Sequence, residues 1–91
     1  MAGSEPIHVQ VYGDSEPATR ATVDKLRLLG IEPEVTPAAK GRAFMRYQNY
    51  TMTPVVLVWI GEGKRRHVYM SWEGHNPHML ELAARIGNED G

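Results

Sequence analysis

"IHVQVYGDSEPATRATVDKLRLLGIEPEV", residues 7 to 35, decides the fold. Its first six residues alternate apolar and polar side chains, with Ile7, Val9 and Val11 on one face, the pattern of a half-buried strand. The following "GDSEP" combines turn residues with helix-start signals. Asp14 or Ser15 can cap, and Pro17 suits a first turn, where its missing N–H would be unpaired anyway. Thr22, Val23, Leu26 and Leu29 then recur at helical spacing, and Gly30 closes the helix in a left-handed conformation. Residues 31 to 35, "IEPEV", resume the alternation as a short strand. Pro33 cannot donate to a ladder, which puts that strand at a sheet edge. Strand, helix and strand in this order make a parallel βαβ unit.

The remainder adds a second layer. Residues 37 to 50, "PAAKGRAFMRYQNY", predict a helix with Ala43, Phe44 and Tyr47 inward, weakened near its start by Gly41. Residues 53 to 60, "TPVVLVWI", are a continuous apolar, β-branched run, as in a strand buried on both faces. "GEGK" turns the chain into a strand over 65 to 70, forming a hairpin. "WEGHNP" reads as a loop ending in a cap at Asn76 and a helix starting at Pro77. Met79, Leu82, Ala83 and Ile86 form the inward stripe of that helix. Residues 1 to 6 and 88 to 91 read as frayed polar ends. The expectation is a single α/β domain ordered β-α-β-α-β-β-α, with a mixed four-stranded sheet and helices on both faces.

Composition limits the chemistry. The 91 residues include no cysteine, so the chain itself has no thiol to use as nucleophile, disulfide partner or metal ligand. A formal net charge of −1 disfavours a general nucleic-acid binder. No apolar run reaches bilayer length, and the first residues lack the pattern of a secretory signal. The expectation is a cytoplasmic protein with no membrane partner.

With those elements in place, the chain resembles the thioredoxin fold, in its small glutaredoxin and NrdH-type redoxin branch. Three stretches carry the likeness. Residues 9 to 35 are similar to the family's strand, active-site loop, helix and second strand. "TMTPVVLV" is similar to its cis-proline segment, with Thr53 before Pro54. "SWEGHNPHMLELA" resembles the W-x-G-x-x-P segment and last helix of NrdH-type redoxins. The family's C-x-x-C falls on "EPAT", residues 16 to 19, if one residue is deleted, and on Pro17 and Arg20 if none is. Neither placement supplies a thiol, and exchange requires one thiolate to attack and another to resolve. The resemblance therefore implies a redoxin's fold and surface without its reaction, and no catalytic residue is assigned.

What remains is a groove. The resemblance implies that Thr53 offers its backbone to an extended ligand in the manner of an added strand, with Pro54 cis. The loop residues Tyr12, Ser15, Glu16 and Thr19 frame one side, and Trp72, Glu73 and Gly74 the other. Glu16 either caps the helix or occupies the place of a thiolate. Trp72 either packs the loop or anchors a partner. A protein or peptide partner of unknown identity is expected. Glutathione is disfavoured, because Glu73-Gly74 departs from the glutaredoxin pattern and NrdH-type redoxins do not rely on it. No cofactor is assigned. His75 and His78 lack a completing ligand set, so no metal is assigned. The basic clusters "KGRAFMR" and "GKRRH", near Phe44, Tyr47 and Tyr50, read as solvated faces. Ser15 and Ser71 have no base in view.

Overall fold

The computed structural model describes residues 7–88. Strand β1 (Ile7–Tyr12) leads into helix α1 (Pro17–Leu28), and β2 (Glu34–Thr36) follows. A 3-10 turn over Ala38–Gly41 precedes α2 (Arg42–Gln48). Then come β3 (Val55–Ile60), a 3-10 turn at Gly63–Arg65, β4 (His67–Glu73) and α3 (Pro77–Asn88). The strands form one sheet in the order β2-β1-β3-β4. β1 runs parallel to β2 and antiparallel to β3, and β3 is antiparallel to β4. The mixed sheet and the α/β order are those expected. No helix among the described residues is long and apolar enough to cross a membrane.

Register decides which side chains meet. Val11 lies opposite Val56, which lies opposite Trp72; Val9 lies opposite Val58. This face packs with Leu26 of α1 and with Leu80 and Ala83 of α3. The other face carries Tyr12 and Leu57, and the Ala38–Gly41 turn lies on Tyr12. A Cβ on Gly41 would stand 2.7 Å from the Tyr12 ring, so only glycine lets that turn lie on the ring. Tyr50 Oη and Ser71 Oγ, 2.9 Å apart, bind the end of the α2 segment to β4. Residues 55 to 58 are all buried, as expected for a central strand covered on both faces.

Several boundaries move for identifiable reasons. Gly30, at φ +85°, donates to the Arg27 carbonyl, and Ile31 donates to the Leu26 carbonyl. This is a Schellman ending, and it spends Ile31 on stopping α1. The second strand therefore begins at Glu34 rather than 31, just after Pro33. The helix expected over 37 to 50 is split at Gly41 and ends at Asn49, which is left-handed at φ +61°. Ala43 and Tyr47 point outward, and only Phe44 of the expected trio is half-buried. The hairpin strand starts at His67, not 65, and runs through Trp72 and Glu73, because β3 pairs along its whole length. Val58 faces Met70 and Trp59 faces Val68, leaving Tyr69 as a bulge that blunts the edge. The stripe of α3 centres on Leu80, fully buried, with Ala83 and Ala84; Met79, Leu82 and Ile86 flank it half-buried. Asn76 Oδ1 accepts the Met79 N–H at 3.2 Å, the expected cap. Of the ends read as frayed, residues 1–6 and 89–91 lie outside the described residues, and Asn88 closes α3.

Candidate functional site

The β1–α1 loop, the turn before β3 and the end of β4 come together at one edge of the molecule. Glu16, not Asp14 or Ser15, is the N-cap of α1, and Pro17 takes the first helical position. The Glu16 side chain makes no cap bond to the helix backbone. Its Oε1 instead accepts the Thr19 hydroxyl at 2.6 Å and the Asp14 N–H at 3.0 Å. Thr19 is buried, and Gly13 lies against it so closely that a Cβ there would meet Oγ1 at 2.4 Å. These donors hold the Glu16 carboxyl below its ordinary range. The Thr19 hydroxyl pulls most and the Asp14 N–H next; desolvation opposes them, and Glu16's own N–H and the Thr53 side chain add smaller pulls. Asp14 itself accepts the Ala38 N–H at 3.4 Å, and Ser15 is exposed.

Across from this loop, the Thr53–Pro54 peptide bond is cis. Glu73 Oε1 accepts the N–H groups of Thr51 at 2.8 Å and Met52 at 3.1 Å, which fixes the turn. Gly74 N–H donates to the Pro54 carbonyl at 2.6 Å. Gly74 sits at φ +82°, and a Cβ there would stand 3.0 Å from Met52 Sδ. Among the described residues, the Thr53 N–H and C=O take part in none of these turn-closing bonds.

Glu16, Thr19, Thr53, Pro54, Glu73 and Gly74 are thus gathered at one place. Tyr12 is held under Gly41 on the other face of the sheet. Trp72 is only 7% exposed and belongs to the core cluster, which settles its two readings in favour of packing. Among the described residues its buried indole N–H has no hydrogen-bond partner. Met52, 53% exposed beside Gly74, is the rim residue that sequence reasoning passed over. An apolar side chain between two threonines in a loop was the available signal. His75 Nδ1 lies 2.9 Å from the buried Thr22 hydroxyl, and among the described residues no three His, Asp or Glu side chains converge on a metal position. Chemically, the site offers a carboxylate held ionised at a helix start and a backbone edge at Thr53. It offers hydrogen-bond donors and acceptors rather than a nucleophile.

No protein-family model matches the chain, and no curated protein matches it. Among solved structures it is similar to NrdH-redoxin from Escherichia coli, a glutaredoxin-like protein with a thioredoxin-like activity profile. The two share 20% identity with a TM-score of 0.64, over 82% of this chain and 92% of that one. The cysteine-free chain therefore has the thioredoxin fold in its small glutaredoxin-like form.

Proposed function

We propose that the chain is a redox-inactive glutaredoxin-like protein that binds an extended protein or peptide segment in the groove between Glu16 and Thr53. The observation that carries the reading is the Glu16–Thr19 hydrogen bond at the start of α1. Under the gapped correspondence these two residues take the positions of the family's two cysteines. A dithiol exchanges electrons through a thiolate and a resolving thiol. A carboxylate accepting a hydrogen bond from a hydroxyl does neither, yet it holds the loop closed in a fixed shape. Thr53 then supplies its N–H and C=O to an added strand, Glu16 accepts a donor from that strand, and Met52 gives it an apolar contact.

The test uses a displayed library of random peptides of about ten residues, selected on the wild-type protein. Selected peptides should lose at least about tenfold in affinity for Thr53→Arg and for Met52→Glu, with both variants keeping wild-type far-UV circular dichroism. Affinity unchanged in both variants would remove the groove as the site. In a disulfide-reduction assay the chain alone should not turn over; turnover above background would refute redox silence.

A further inference from the structure

The net charge of −1 conceals a division between the two sides of the molecule. Between residues 37 and 72 stand Lys40, Arg42, Arg46, Lys64, Arg65 and Arg66 against the single carboxylate of Glu62. That segment carries +5, so the rest of the chain carries −6. The structure keeps most of these charges apart; Glu34, beside Gln10 in the β1–β2 register and 2.8 Å from His8, is the acid that shares the Trp59 face. The ion pairs among the described residues, Lys25–Glu81, Arg27–Glu32 and His8–Glu34, use none of the six cations. Arg42 and Arg46 lie one turn apart on the exposed side of α2, and Lys64, Arg65 and Arg66 occupy the β3–β4 connection. Glu73, just beyond the segment, is turned into the Thr51–Met52 loop.

Aromatic rings accompany the cations. Tyr47, 82% exposed, follows Arg46 on α2, and Tyr69, 55% exposed, sits at the β4 bulge. Trp59 alternates with the core residue Val58, so it lies on the sheet face away from α1 and α3, where its Nε1 donates to Gln10 Oε1 at 3.1 Å. The Arg66 guanidinium stacks 4.7 Å over the Trp59 ring. Unpaired guanidinium groups suit phosphate oxygens, and exposed rings suit bases. An acidic peptide would satisfy the charges and leave the rings unused.

We propose that this face, formed by α2, the β3–β4 connection and the sheet surface around Trp59, binds single-stranded nucleic acid. It is separate from the Glu16–Thr53 groove, and it answers the argument from net charge, because a binding face needs local rather than total charge.

The probe is a labelled oligo(dT) of about 20 nucleotides, followed by fluorescence anisotropy between about 50 and about 200 mM salt. Each neutralised phosphate contributes about −0.7 to the slope of log affinity against log salt, so six cations allow a slope no steeper than about −4. The double variants R42E/R46E and R65E/R66E should each weaken binding at least about tenfold. Y47A should weaken it at least about fivefold through lost stacking, while the charge-neutral L28S, at an exposed residue of α1, leaves it unchanged. All these positions are exposed or half-buried, and circular dichroism checks the fold. No binding at about 50 mM salt, or affinity insensitive to both charge reversals, would overturn the proposal. So would an equal loss on L28S, or polyglutamate binding that Y47A does not affect, which would identify an acidic protein segment instead.

Discussion

Truncating Trp72 separates a packing role from a docking role by its energy alone. The side chain is 7% exposed and sits opposite Val56 in a cluster with Val9, Val11, Leu26 and Leu80. A buried tryptophan removes roughly 150–250 Å² from water, worth about 4–6 kcal/mol at about 25 cal/mol per Å². Measured aromatic truncations cost about 3–5 kcal/mol. A chain of 91 residues has a total stability of about 5–14 kcal/mol, so Trp72→Ala should remove a large share of it. Trp72→Phe should behave differently. It gives up roughly 50 Å² of buried surface, about 1 kcal/mol. It also removes the buried indole N–H, which has no partner among the described residues, relieving about 1–3 kcal/mol. The two terms oppose each other, and the phenylalanine variant should lie between wild-type stability and about 2 kcal/mol above it. Urea denaturation followed by far-UV circular dichroism measures both without relying on tryptophan emission. Stability of Trp72→Ala within about 1 kcal/mol of wild type would refute the packing assignment. Equal losses for alanine and phenylalanine would refute the accounting for the indole N–H.

Other consequences are as specific. Leu80→Ala should cost about 2–5 kcal/mol in urea denaturation, and Met79→Ala clearly less, because α3 presents Leu80 to the core and Met79 to its border. Gly74→Ala should cost about 1–2 kcal/mol for its left-handed backbone, and truncating Met52 beside it should not restore that loss, since space is the smaller part of the problem. Glu16 should titrate below its ordinary 4.5 when its carboxyl carbon is followed by NMR. Its folded value is depressed, so the stability it lends is present above 4.5 and disappears as pH falls through the folded value. Thr19→Val removes the largest pull, so the titration should move upward toward 4.5; an unchanged midpoint would contradict the bond's role.

Much of the fold was legible because its signals are local. The alternation in β1, the Gly30 stop, the unbroken apolar run of β3 and the Asn76 cap each act over a few residues, and the structure keeps them. What shifted depends on contacts distant in sequence. Gly41 breaks the second helix because Tyr12, 29 positions earlier, lies under it. Glu73 joins a strand because β3 offers it a partner along its length. Trp72 could not be assigned to core or surface from a loop motif, since only the β3–β4 register turns it inward. At the site, the sequence indicated Glu16 and Thr53 through a resemblance. It could not indicate that the Glu16 carboxylate takes the Thr19 hydroxyl and the Asp14 amide in place of a helix cap. The cationic stretch from 37 to 72 was hidden for the opposite reason: the sum over the chain cancels it.

The most direct test of the central claim is a 15N–1H NMR titration of the wild-type protein with a peptide selected from the random library. The account predicts saturable shifts concentrated at Glu16, Thr19, Met52, Thr53 and Gly74, with α2 and the β3–β4 connection undisturbed. Shifts confined to other surfaces, or a selection that returns no peptide able to perturb Thr53, would contradict it.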